Sequence, residues 1–310
     1  MKKIFFYFPT LLFCGLTTIL AAQTFSLAHV APDARMLAMG NTGVAQMVSS
    51  FSLYSNTAAT VLSADRMSLA ASYGIWQPGV QNNRLMGASG YFKVGERFAV
   101  AAGTRFYTYP QVTFYDNNGY AKGNYKPLEF SAELGFAYRI VQGFAVSANL
   151  HYLSADLGAA QKGNAFAADI GLLYNVSGLR VGLTATQLGT QMDFGYGGYS
   201  LPASVNAGVG YVLEIGKTHA ITPVAEVSYR LPAGRRGIAG GVGMEYSFRK
   251  MVSLRAGYHM GSQKTVEPSY FTAGIGLQIA GAALDFVYLL APESSPLRNT
   301  MQLSLGWTLR

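Results

Sequence analysis

Few residues in this sequence have the types and spacing for chemistry. His151 and His259 are two of its four histidines. A hydrolase would need one of them beside a nucleophilic serine and an orienting carboxylate, and no nucleophile-elbow motif accompanies either. Gly240, Gly241 and Gly243 in "GGVGMEY" are a weak phosphate signal; in a strand they fit bending or room for another segment. The run "YDNNGYAKGN" (115–124) is rich in oxygen ligands but lacks the Asp-x-Asp/Asn-x-Asp/Asn-Gly spacing of a calcium loop. Asn118-Gly119 within it reads as a hairpin turn. The one cysteine, Cys14, lies in an apolar leader, so no disulfide, thiolate nucleophile or Cys-ligated metal is expected after that leader is removed. We expect no catalytic, cofactor-binding or metal site. What remains is a scatter of charges: Arg105, Arg139, Arg180, Arg230 and Arg255, with Glu129, Glu133, Asp169, Glu226, Glu245 and Asp285. Their meaning depends on the elements that carry them.

The leader comes first. Lys2-Lys3, the apolar run Ile4–Leu20 and Ala21-Ala22-Gln23 have the form of a secretion signal cleaved after Ala22. Phe13 before Cys14 does not suit a lipoprotein signal, which needs a small residue there. Beyond the leader no apolar run approaches the ~18 residues of a membrane helix. Only 12% of residues are charged, against about 25% in ordinary globular chains.

The chain instead alternates. In "PLEFSAELGFAYRI" (127–140), Leu128, Phe130, Ala132, Leu134, Phe136, Tyr138 and Ile140 share one face. Glu129, Ser131, Glu133, Gly135, Ala137 and Arg139 share the other. A period of two over this length is a strand. Fourteen such segments are expected: 66–76, 83–94, 97–109, 127–140, 143–155, 164–175, 178–189, 202–214, 219–231, 237–249, 251–262, 269–280, 282–290 and 299–310. Our phasing keeps acids and bases off every apolar face. That segregation suits strands that cross lipid, where a mid-bilayer Arg or Lys costs ~2–4 kcal/mol. Tight connections (Gly95-Glu96, Val141-Gln142, Ser177-Gly178, Arg249-Lys250, Ala280-Gly281) alternate with long ones (110–126, 156–163, 190–201, 232–236, 263–268, 291–298). Tyr138, Tyr174, Tyr211, Tyr246 and Trp307 mark one membrane edge, and Tyr152, Tyr229, Tyr258 and Tyr288 the other. The expected fold is all-β: a fourteen-stranded antiparallel transmembrane β-barrel (66–310) in the outer membrane. An even strand number puts both termini on the periplasmic side.

Residues 23–65 do not alternate. Met36, Met39 and Val44 suit a short helix, as does "FSLYSNTAATVL" from Phe51. Free in water such helices are marginal, so the segment is expected to plug the lumen; a disordered leader is the alternative. Here the sequence resembles a known group. "PDARMLAMGNTGVA", with Arg35, Met36, Met39 and Gly40, followed by "SLYSNTAA" with Asn56, is similar to the N-terminal plug of FadL-like barrels and of the PorV/PorQ family. "VTFYDNNGYAKGNYKPLEF" (112–130) and "GNAFAADIGLLY" (163–174) resemble PorV in particular. The turn Asn56-Thr57-Ala58 lacks the proline common in the family.

The resemblance implies a place in the type IX secretion system of Bacteroidetes. Partners would be the C-terminal domains of secreted cargo or other secretion-system proteins, with a role in lipid A modification as a further implication. A FadL-like conduit for hydrophobic small molecules is the alternative. Phe114, Tyr115, Asn117, Asn118, Tyr120 and Tyr125 are the candidate partner-binding residues, because amphipathic aromatics anchor interfaces; a simple hairpin explains them equally well. The inward charges line a polar conduit, or else pair with one another and with the plug. The formal net charge of +8 fits lipopolysaccharide and outer-membrane lipid better than nucleic acid, which is not expected as a partner.

Overall fold

Alternation becomes architecture in the computed structural model, which describes residues 27, 30–79, 81–116, 118–158, 162–195, 197–231, 236–261 and 267–309. The expected secretion signal, 1–22, lies outside the described residues. The barrel strands are β1 (Met67–Trp76), β2 (Asn83–Val94), β3 (Phe98–Thr108), β4 (Leu128–Val141), β5 (Phe144–Asp156), β6 (Gly163–Val176) and β7 (Leu179–Gly189). They continue as β8 (Ser204–Tyr211, resumed at Leu213–Ile215), β9 (His219–Arg230), β10 (Gly237–Phe248), β11 (Val252–Met260), β12 (Tyr270–Ile279), β13 (Ala282–Leu290) and β14 (Met301–Leu309). Each pairs antiparallel with its neighbours in the chain, and β1 pairs with β14 from Met67↔Leu309 to Ile75↔Met301, closing a fourteen-stranded barrel. Closure leaves no sheet edge, as lipid requires.

The faces follow the polarity. On β4, Leu134 is 51% exposed and Phe136, Tyr138 and Ile140 are exposed, while Glu129 is 1% exposed and Ser131, Glu133 and Ala137 are buried. One expectation is corrected. Arg84 shares the outward face of β2 with Met86, Ala88 and Phe92. It is tolerated because it lies at the strand's first residues, where its guanidinium donates to the carbonyl and side chain of Asn82 rather than entering mid-bilayer.

One end of the barrel is all tight turns. Ser177 and Gly178 (φ 51° and 83°), and Ala280 and Gly281 (50° and 88°), both take positive φ, as two-residue hairpin turns matching strand twist require. The other end carries the long links. There Val112–Tyr115 pairs with Ala121–Tyr125 as a separate two-stranded sheet, and Met192–Asp193 pairs with Gly198–Tyr199. Met67 and Leu309 meet at the turn end. Leu27 lies instead at the loop end, packed in one cluster with Trp76, Leu85, Tyr107 and Leu153. From there the chain descends inside the barrel to the start of β1.

Among the described residues, the descending segment forms α1 (Ala34–Ala38), a 3₁₀ turn (Ser52–Tyr54) and α2 (Ala58–Val61). Elements this short do not hold themselves. Asp33 caps α1 by accepting the Arg35 N–H at 2.8 Å. The barrel wall supplies the rest.

Candidate functional site

The inward charges hold the plug, and at its first described residue they do so through backbone. Glu129 accepts the Leu27 N–H at 2.8 Å and also the Tyr109 hydroxyl. Arg105 donates to the carbonyls of Leu27 (2.9 Å) and Val30 (3.4 Å), and is held in turn by Glu133 at 2.7 Å. Halfway down, Glu226 accepts both the Gly43 and Val44 N–H groups, at 2.7 and 2.9 Å, and Arg180 donates to the Ala45 carbonyl at 2.9 Å. These plug carbonyls and amides have no regular secondary structure to satisfy them. Side chains of the wall do that work, and a buried backbone group left unpaired would be costly.

Arg35 of α1 extends the same logic to a chain of ions. It donates twice to Glu245, at 3.0 and 2.8 Å; Arg255 donates to Glu245 at 2.6 Å and to Asp285 at 2.5 Å. Within this chain of ions each charge faces an opposite one, which offsets the desolvation of both. Asp169 sits at a register shift between β6 and β7, where it accepts the N–H of Gln187, a residue at φ 58°, and lies 2.8 Å from His151. His259 faces Glu267 at 3.1 Å, and Arg230 pairs with the same carboxylate. Both rings thus meet carboxylates. Arg139 departs from the expected lumen set: it stands at the turn-end lip, bonded at 3.0 Å to Glu96, whose side chain is exposed.

Glycines give the plug its close seat. A Cβ on Gly241 would lie 2.2 Å from the Gly40 carbonyl oxygen, and one on Gly243 would lie 2.4 Å from that of Met39. Gly40 itself has φ 73°, and a Cβ there would meet the Val242 carbonyl at 2.5 Å. Backbone approaches backbone here, so Gly241 and Gly243 of "GGVGMEY" make room for the plug, whereas Gly240 lies against Glu226 and Val227 of β9. Met39 is buried beneath it, and Met36 lines a small polar cavity beside Asn41 and His259. Asn56 is the lower staple. Its amide donates to the carbonyls of Val44 (3.1 Å) and Leu172 (2.9 Å), and its oxygen accepts the Ala58 N–H that opens α2. Thr272, Asn149, Ser304 and Lys93 also bond the plug backbone. Nothing in the sequence distinguishes these four from any other inward polar residue.

At the loop end the lumen is closed by apolar side chains. Leu27, Val30, Trp76, Leu85, Tyr107, Leu153, Val287 and Leu289 form one buried cluster. A signal for it was present: the last residues of several strands are apolar on both faces, as in Val287, Tyr288 and Leu289, which marks a strand buried on both sides. Above this cluster stands the hairpin of Val112–Tyr115 and Ala121–Tyr125. Tyr115 and Tyr120 are 66% and 73% exposed, and Phe114 and Asn118 are exposed too. Asp116 accepts the N–H groups of Asn118 and Tyr120, and Gly119 (φ 83°) completes the turn. Asn117 lies outside the described residues. Tyr125 does not join the exposed set. Its hydroxyl bonds Asp156, its ring packs at 6.0 Å on Phe114, and it ties the hairpin to the next loop.

A closed barrel of fourteen strands, lipid-facing outside and filled by its own N-terminal segment, is an outer-membrane protein of FadL-like fold. The chain belongs to the PorV family: the family model described as type IX secretion system protein PorV matches residues 16–231. Comparison with curated protein sequences gives no match. Among solved structures, the chain is similar to the toluene transporter TbuX of Ralstonia pickettii (14% identity, TM-score 0.59, 93% of this chain and 100% of that one). It is also similar to the monoaromatic hydrocarbon channel CymD (15%, 0.63, 92% and 98%) and to the toluene transporter TodX of P. putida (12%, 0.61, 89% and 98%). At these identities the likeness is one of fold.

Proposed function

We propose that this barrel works at its loop-end rim, binding the C-terminal domain of secreted cargo or a protein of the attachment machinery. Its family places it among type IX secretion outer-membrane proteins. The observation that carries the finer reading is the standing hairpin. Phe114, Tyr115 and Tyr120 are large, amphipathic and exposed, on a two-stranded sheet that the barrel does not need for closure. A few residues carry most of the energy of a protein interface, at ~2 kcal/mol or more each, and tyrosine is enriched among them. Changing all three to Ala should abolish recovery of partners from native outer membrane while the folded, heat-modifiable barrel persists. Unchanged recovery would reduce the hairpin to a loop.

A conduit for hydrophobic small molecules is a second reading, supported by the fold shared with aromatic hydrocarbon transporters. Such a conduit needs an apolar track. Here the apolar side chains at the loop end pack on one another, and the cavities beneath them are lined by charged and polar groups. Toluene uptake by proteoliposomes at rates above those of protein-free vesicles would favour this reading over the first.

A further inference from the structure

The lipid face of the barrel is uneven where its first and last strands meet. At one level Leu305, Ala71, Ala88 and Thr104 stand abreast on β14, β1, β2 and β3. Two residues nearer the turns, Trp307, Leu69, Gly90 and Ala102 do the same. Ala71, Ala88, Gly90 and Ala102 are small among large outward neighbours, and they leave a hollow of about 740 Å³ open to the bilayer. Toward the turns this hollow leads to a cation. Phe92, two residues beyond Gly90 on β2, is exposed on the same face, and the Arg66 guanidinium lies over its ring at 5.3 Å. Arg66 and Lys93, with Ala64 and Gly95, line a cleft of about 270 Å³. No carboxylate among the described residues pairs with either cation: Asp65 faces a cavity of the lumen, and Glu96 bonds Arg139. Lys93 donates to the Ser63 carbonyl at 2.5 Å, which leaves its charge uncompensated.

We propose that this strip of the outer wall seats one anionic glycerophospholipid of the turn-side leaflet, with its phosphate at Arg66 and Lys93 and an acyl chain in the hollow. Three observations select that occupant. The hollow opens to the bilayer, so an apolar chain fills it; left empty, its lining would lose dispersion contacts on one side. The cleft holds positive charge without a protein counter-ion, and basic sites at headgroup level take anionic lipid heads by complementarity. The two parts are also spaced as a lipid is. Ala88 lies four residues from Phe92 along β2, about 13 Å at ~3.3 Å per residue, which is within half of the ~30 Å hydrocarbon core. The seat is on the outer wall near the turns, so it stands or falls apart from the rim reading.

Trp307 borders the hollow and reports on it, while the other tryptophan, Trp76, is buried at the loop end. The test reconstitutes the full-length barrel in dioleoyl phosphatidylcholine vesicles that contain a rising fraction of brominated phosphatidylglycerol. Brominated phosphatidylcholine serves as the comparator, and quenching of tryptophan fluorescence is the readout. Brominated phosphatidylglycerol should quench at about fivefold lower mole fraction, and added salt should narrow the difference. Arg66→Gln should remove most of that preference. Ala88→Phe, which fills the hollow from a lipid-exposed position, should abolish it with Arg66 still in place. Equal quenching by the two lipids in the unaltered barrel would overturn the proposal, as would a preference that survives Arg66→Gln. A preference kept by Ala88→Phe would overturn the hollow as the seat of the chain.

Discussion

The two ends of this lumen are built from different materials. At the loop end, Leu27 and Val30 of the plug meet Leu85, Tyr107, Leu153 and Leu289, and the space is filled by apolar packing. At the turn end, Arg35, Glu245, Arg255 and Asp285 link plug to wall by ion pairs, and a cavity of about 760 Å³ remains beside them. The difference is physical. Apolar contact is non-directional and gains from excluding all space. Charged groups must keep a partner or water, so they brace a segment without filling around it. One end is therefore a seal across the whole lumen; at the other, α2 packs one half against β3 to β6 and the ion pairs brace the half left open.

The largest expected effect comes from exchanging the two materials. Leu289→Asp puts a carboxylate into the apolar seal, where it has no partner, and should cost several kcal/mol. Ser253→Asp, at the wall of the turn-end cavity, should change stability by less than about 0.5 kcal/mol. Urea unfolding in detergent, followed by the heat-modifiable band, measures both. Similar losses would break the contrast between the ends.

Next in size is the lipid face. Leu134→Arg should cost ~2–4 kcal/mol and lower the folded yield sharply. The useful control is Ser253→Arg, which points into the open cavity. Ser131, although inward on the same strand as Leu134, is a poor control because it is fully buried and its hydroxyl accepts from Arg105. Equal yields for Leu134→Arg and Ser253→Arg would contradict the assigned faces.

A smaller effect tests the brace itself. Asn56→Ala leaves the carbonyls of Val44 and Leu172 without their donor and should cost about 1–3 kcal/mol. Because Asn56 ties the descending chain to β6, its loss should also raise open-channel events in planar bilayers. A quiet, stable variant would mean that the ion pairs alone hold the plug. The smallest effect belongs to Glu96→Gln, which removes the exposed partner of Arg139 at the turn-end lip and should leave the unfolding midpoint unchanged.

Much of this architecture is written in the sequence, since lipid enforces it locally. A residue facing the bilayer must be apolar, and a strand turns its side chains over at every step, so polarity reports orientation one residue at a time. The fourteen strands and the faces of β4 could be read that way, and paired positive-φ turns such as Ser177-Gly178 mark where strands reverse. Arg84 shows where the rule weakens: a strand's edge residue lies beyond the hydrocarbon, and the sequence carries no ruler for depth. Inside the barrel the constraint is of another kind. Glu226 and Asp285 look alike in an alternating strand, yet one caps two amides of the plug and the other pairs with an arginine beside open space. Tyr115 and Tyr125 look alike in the hairpin, yet one projects outward and the other holds Asp156. Those outcomes depend on which segment arrives beside which strand, and at what height, across separations from 30 residues (Arg255 to Asp285) to 183 (Gly43 to Glu226). The sequence by itself determined the wall; only the tertiary structure decided how the wall is filled, because satisfying a buried polar group is a question of who arrives beside it.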